Sequence, residues 1–159
     1  MAGPKRMTTM VREAGIGVGS NLGDRHEHIR RAASALRSTP HIGRLEIGPI
    51  IETTPVLPAD ANPDQPMFLN TVFVVSTSLV PTVLMARLLA VESSLGRRRD
   101  GTTSPRTIDL DLLYVGTEVV DERGLSLPHP RMWERDFVCG PLESLRPGIV
   151  QSLRNTTGM

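Results

Sequence analysis

Two hydrophobic periods alternate along the chain. GIGVGS (15–20) sets apolar residues between glycines, which suits a thin central strand whose backbone is approached closely. In NLGDRHEHIRRAASALRS, Ile29, Ala32, Ala33 and Leu36 recur at helical spacing, with Asp24 as N-cap and Pro40 as the stop. RLEIGPIIET (44–53) alternates weakly and reads as a strand. MFLNTVFVVSTSL (67–79), rich in aromatic and β-branched residues, reads as the strongest one. PTVLMARLLAVESSLG opens with proline at the first helical position and ends at Gly96. TIDLDLLYVG is a further strand, TEVVDERGLSLP a hairpin, and HPRMWERDFVCGPLESL a set of short helical pieces.

The order is strand, helix, strand, strand, helix, strand, with a C-terminal hairpin and helix extension. This predicts an α+β fold of the ferredoxin-like split βαβ type, an antiparallel sheet with helices packed on it. Two consecutive strands share only a loop, which disfavours a doubly wound parallel sheet. No repeat or linker divides the chain. The expected layout is an N-terminal tail over 1–13, one domain over 14–150 and a C-terminal tail over 151–159. TPVLPADANPDQP (54–66) holds four prolines in thirteen residues and reads as a long functional loop.

Composition narrows the function classes. A net charge of +1 gives no general pull towards nucleic acid or an anionic membrane. Lys5 is the sole lysine, so almost all positive charge is arginine, the better fork for phosphate oxygens. Cys139 is alone, which excludes an internal disulfide and a cysteine-based zinc site. No apolar stretch is long enough for a transmembrane helix, and the N-terminal residues lack an export-signal core. A cytoplasmic domain, monomeric or weakly dimeric, is the expectation.

The chemistry concentrates in SPRTIDLDLL (104–113). In a strand, Asp109 and Asp111 share one face about 6.5–7 Å apart, while Ile108, Leu110 and Leu112 point into the core. At an effective dielectric of about 20 the two carboxylates repel by roughly 2–3 kcal/mol. A hard divalent cation offsets that repulsion, and magnesium commonly shares one or two carboxylates with substrate phosphates. A bare Asp-x-Asp is also compatible with two ordinary surface acids. The neighbouring arginines of GRRRD (96–100) and Arg106 favour phosphate chemistry. Neither GxGxxG nor GxxxxGK[ST] occurs, so the nucleotide has no standard glycine cradle. A nucleotidyltransferase built on the same acids and an RNA-binding module remain alternatives. Near-neutral charge and only five aromatic residues oppose the second.

Four segments, GVGSNLGD, QPMFLNTV, GRRR…SPRTIDLDLL and LPHPRMWERDFV, stand in collinear order over about residues 15 to 147. In this the chain resembles the 6-hydroxymethyl-7,8-dihydropterin pyrophosphokinase family of folate biosynthesis. The resemblance implies transfer of the pyrophosphoryl group of ATP to the pterin hydroxymethyl, with release of AMP. It implies that Asp109 and Asp111 hold two Mg2+ ions and that Arg97 and Arg99 serve catalysis. Arg97, Arg106, Ile108, His129 and Arg135 would contact ATP. Thr53, Thr54, Val56, Phe68, Asn70 and Phe137 would line the pterin pocket, the two phenylalanines sandwiching the ring. The residues agree with that last role. Phe68 and Asn70 are i, i+2 on one strand, so a stacking face and an amide edge project together. One stretch departs from the family: Thr102-Thr103-Ser104 replaces a basic residue and an often nearby tryptophan.

Overall fold

In the computed structural model, which describes residues 6–54, 66–96 and 107–158, the glycine-rich segment is the axis of the sheet. Strand β1 (Thr8–Ser20) pairs antiparallel with β4 (Phe68–Leu79) on one edge and β5 (Asp109–Val115) on the other. The far edge of β4 carries β2 (Ile42–Ile47) and β3 (Ile51–Thr53), giving the order β2-β4-β1-β5 with β3 beside β4. Helices α1 (Arg25–Arg37), α2 (Pro81–Ser94), α3 (Asp136–Leu145) and α4 (Ile149–Thr156) pack on this sheet. A small hairpin, β6 (Val120–Glu122) with β7 (Leu125–Leu127), precedes a single 3-10 turn at Met132–Glu134.

Local chemistry accounts for the element ends. The Asp24 carboxylate accepts the Glu27 amide at 3.1 Å, satisfying one of the orphan donors of α1. Pro81 opens α2, where its missing N–H costs nothing, and Gly96 follows the helix at φ +91. The segment expected as one strand over 44–53 is broken by Gly48-Pro49 into β2 and β3, because proline offers no ladder donor. Gly48 keeps the chain on β4 by donating to Val72 O at 2.9 Å. A Cβ on Gly48 would lie 3.2 Å from Pro141 O, so the glycine lets α3 settle against the sheet.

Alternation divides the sheet between two apolar clusters. Ala14, Ile16 and Val18 of β1, Phe73 and Val75 of β4, and Leu110 and Leu112 of β5 pack on α1 and α2. On the other face Val72, Val74, Leu113 and Tyr114 meet Met132, Val138, Leu142 and Leu153. The C-terminal helices are therefore a third layer, which explains why β4 reads as a nearly unbroken apolar run. The expected tails are shorter than 1–13 and 151–159. β1 already begins at Thr8, and α4 runs through Thr156 with Leu153 only 3% exposed.

At the end of the sheet beyond the bulge in β5, Tyr114 donates its hydroxyl to Glu13 at 3.2 Å. Arg146 donates to Glu13 at 2.6 Å and to Glu46 at 2.8 Å, joining the end of α3 to β1 and β2. Burial, then the neighbouring Glu13 carboxylate, pushes the Tyr114 phenol far above its ordinary value. A raised folded-state value means that unfolded chains lose this proton first as pH rises. Its stabilising contribution is thus complete below about pH 10 and shrinks above it. Tyr114 is the only tyrosine, so phenolate absorbance reports it alone. The prediction is no phenolate signal until alkaline unfolding; reversible ionisation of the folded protein near pH 10 contradicts it.

Candidate functional site

Strand register decides which side chains meet. Asn70 of β4, Gly19 of β1 and Asp109 of β5 form one row across the sheet, and Val72, Gly17 and Asp111 form the next. Adjacent strands are about 4.8 Å apart, so Asn70 and Asp109 flank the glycine strand at a backbone separation of ~10 Å. Only glycine backbone lies between them on this face.

The glycines are not equivalent. A Cβ on Gly15 would fall 2.2 Å from the Tyr114 ring, which already fills that space. At Gly17 it would meet Leu113 at 3.4 Å and the Asp111 Cβ at 3.8 Å, ordinary contact. At Gly19 it would meet Asn70 Oδ1 at 3.3 Å and Phe68 Cδ1 at 3.5 Å, so these two side chains lean into the room that glycine leaves. Asn70 is 6% exposed and donates from Nδ2 to Thr53 Oγ1 at 2.6 Å. Thr53 pairs with Phe68 across the β3–β4 ladder, so Thr53, Phe68 and Asn70 form one group. Thr54 follows, exposed at the end of β3.

The carboxylate side is built on β5. Asp109 and Asp111 alternate with the buried Ile108, Leu110 and Leu112, as the pattern predicts. Arg135 stands 3.5 Å from Asp111, a partly exposed ion pair worth at most about 1 kcal/mol. Its guanidinium also lies 6.0 Å from the centre of the Phe137 ring. Phe137, half-buried, packs against the second apolar cluster. His129 is fixed by its backbone N–H donating to Leu113 O at 2.7 Å, and its Nδ1 accepts the Arg131 amide at 3.2 Å. An accepting Nδ1 leaves the neutral ring's proton on Nε2. Burial, then Arg135 and Arg131, hold this imidazole below its ordinary value, with Asp109 opposing.

The structure thus brings together Thr53, Phe68 and Asn70 on one side and Asp109, Asp111, His129 and Arg135 on the other. The Ile108 side chain is 0% exposed in the cluster under α1 and α2, on the face away from the carboxylates. Val56, Arg97, Arg99, Arg106 and Thr102-Thr103-Ser104 lie outside the described residues.

Three buried polar residues at the site escaped the sequence reading. Glu92 of α2 is 1% exposed and accepts the Leu110 amide at 2.7 Å, between the two aspartates. Its position four residues after Leu88 and eight after Leu84 puts it on the apolar stripe, a signal that was available. Ser20 and Asn21, at the end of β1, are both 0% exposed. Among the described residues no three His, Cys, Asp or Glu side chains form a closed metal cage.

Known proteins resemble this chain over most of its length. Residues 15–147 match the family described as 7,8-dihydro-6-hydroxymethylpterin-pyrophosphokinase. The chain is 39% identical over 130 residues to the 2-amino-4-hydroxy-6-hydroxymethyldihydropteridine pyrophosphokinase of Bacillus subtilis, covering 82% of this chain and 75% of the relative. It is 36% identical over 140 residues to the protein of the same name from Pseudomonas aeruginosa, covering 88% and 84%. It is also 38% identical to the mitochondrial folate synthesis bifunctional protein of Pisum sativum, covering 91% of this chain and 27% of that longer protein.

The glycine row yields a graded prediction. Gly15→Ala should lower the free energy of unfolding by about 1–3 kcal/mol or more, through collision with Tyr114. Gly17→Ala should cost less than about 1 kcal/mol. Gly19→Ala should leave the fold intact but shift the NMR resonances of the Asn70 side-chain amide. Equal destabilisation at positions 15 and 17 in urea titrations, or an unmoved Asn70 amide, contradicts the geometry.

Proposed function

The chain belongs to the 7,8-dihydro-6-hydroxymethylpterin-pyrophosphokinase family, and from that premise we propose how its residues divide the work. It transfers the pyrophosphoryl group of ATP to the hydroxymethyl group of 6-hydroxymethyl-7,8-dihydropterin, a reaction of folate biosynthesis. The pterin ring stacks between Phe68 and Phe137, and the Asn70 amide reads its edge, with Thr53, Thr54 and Val56 beside it. Arg97, Arg99, Arg106, His129 and Arg135 hold the polyphosphate and the nucleotide, and Ile108, its side chain in the core, meets ATP through its backbone. The ferredoxin-like split βαβ arrangement belongs to the same reading, supported by the β2-β4-β1-β5 order. So do cytoplasmic location, a monomeric or weakly dimeric state, and action on small molecules rather than on nucleic acid or membrane.

The observation that carries the assignment is the row Asn70–Gly19–Asp109. It supports a ring-binding group and a polyphosphate-binding group side by side on one sheet face, about two strand spacings apart.

Two Mg2+ ions fit the carboxylate side. Asp109 and Asp111 form an open pair rather than a cage, the Asp111 side chain being 37% exposed. Such a pair leaves coordination positions to phosphate oxygens and water, as magnesium prefers. Bound there, the ions would neutralise and orient the polyphosphate. The protein's own contribution is alignment. Phe68, Phe137 and Asn70 point the pterin hydroxyl at the β-phosphorus. The hydroxyl oxygen bonds to that phosphorus, the bond from it to the oxygen bridging the α-phosphorus breaks, and AMP leaves. Arginines stabilise the charge that spreads over the transferring group, and a neutral His129 donates through Nε2 without adding charge. The hydroxyl proton passes to solvent, because phosphoryl transfer depends mainly on alignment and charge stabilisation.

Asp109→Ala and Asp111→Ala should each lower AMP formation by at least about a thousandfold, with thermal stability nearly unchanged. Wild-type turnover in either would exclude the carboxylate assignment. Asn70→Ala should weaken pterin binding about tenfold or more, through the lost buried hydrogen bonds, and nucleotide binding about twofold at most. Calorimetric titration of each ligand separates the two; equal losses would make Asn70 a structural residue only.

A further inference from the structure

None of the steps above uses the turn between β1 and α1, yet that turn buries polar side chains completely. Ser20 and Asn21 are both 0% exposed, a placement that costs free energy unless hydrogen bonds compensate. Their partners are backbone carbonyls at the entrances of two other strands. Ser20 Oγ donates to Thr107 O at 2.5 Å, two residues before Asp109. Asn21 Nδ2 donates to Pro66 O at 3.3 Å, two residues before Phe68, and Asn21 engages other groups as well. Arg25, in the first turn of α1, donates from Nη1 to Met67 O at 2.8 Å. The same guanidinium pairs at 2.8 Å with Glu52, the neighbour of Thr53.

The ladders do not reach these carbonyls. Pairing of β1 with β4 extends only to Leu69, and pairing with β5 only to Asp109. Beyond those points, among the described residues, side chains of one short turn hold the ring side and the carboxylate side to β1. We propose that Ser20 and Arg25, with Asn21, are positioning residues that set the two halves of the site relative to one another. Ser20 acts through the Thr107 backbone on Asp109, and Asn21 and Arg25 act through the backbone at 66–67 on Phe68. In-line attack makes this matter, since a displacement of about 1 Å can cost about a hundredfold in rate. The proposal rests on the assignment of the two halves given above.

The test is ligand-selective. Wild type, Ser20→Ala, Arg25→Ala, Arg25→Lys and Asp109→Ala are titrated with a non-hydrolysable ATP analogue in Mg2+. They are then titrated with 6-hydroxymethylpterin at saturating analogue. Ser20→Ala should weaken the nucleotide about tenfold and the pterin less than about twofold. Arg25→Ala should do the reverse, and Arg25→Lys should recover most of the loss, because an ammonium still donates to the Met67 carbonyl and pairs with Glu52. Both alanine variants should lower kcat. Equal losses for the two ligands, losses that merely follow melting temperature, or no loss overturn the proposal. If Ser20→Ala does not fold, the Arg25 pair decides, since that side chain is 28% exposed and dispensable to the core. Asp109→Ala keeps the two readings apart. Wild-type nucleotide affinity in that variant removes the assignment of the halves, whereas its loss beside unselective Ser20 and Arg25 variants removes only the positioning role.

Discussion

The structure depends on one central strand having side chains on one face and almost none on the other. Ala14, Ile16 and Val18 anchor β1 in the cluster under α1 and α2, while Gly15, Gly17 and Gly19 leave the opposite face to residues from neighbouring strands. What fills the vacated space changes along the strand. Tyr114 occupies it at Gly15, Leu113 borders it at Gly17, and Phe68 with Asn70 lean in at Gly19. The same omission of side chains thus makes a packed core at one end and leaves room for Phe68 and Asn70 at the other. Glycine weakens a strand through entropy and lost packing. Pairing of the glycine segment with β4 on one edge and β5 on the other offsets that cost.

Charge follows the same division. The far end is closed by a hydrogen-bonded network in which Arg146 bridges Glu13 and Glu46 and the Tyr114 hydroxyl joins at Glu13. At the site, by contrast, two carboxylates are kept on one face, with Arg135 near one of them and close by the His129 imidazole, which burial holds below its ordinary value. Glu92 adds a buried carboxylate that fixes the amide between them. The acids are thus aimed by the β5 backbone, itself tied on one edge to β1 and on the other to α2. Rigid elements position charge more sharply than loops do, and phosphoryl chemistry needs that sharpness.

Much of this was legible in the sequence because it rests on period and register. The alternation in TIDLDLL put Asp109 and Asp111 on one face and their neighbours in the core, and i, i+2 spacing joined Phe68 to Asn70. Helical spacing identified α1 down to its Asp24 cap. Other features depend on which elements meet, which one chain's periodicity does not encode. The third layer formed by α3 and α4, the Arg146 network and the grip of Ser20 on Thr107 all join residues far apart in sequence.

The central claim is that ring and polyphosphate bind side by side across the Gly19 row. The most direct measurement is a crystal structure with Mg2+, a non-hydrolysable ATP analogue and the pterin bound together. The account predicts metal ions on Asp109 and Asp111, the ring between Phe68 and Phe137, and the pterin hydroxyl facing the β-phosphorus. A polyphosphate bound away from β5, with Asp109 and Asp111 turned to bulk water, would contradict it.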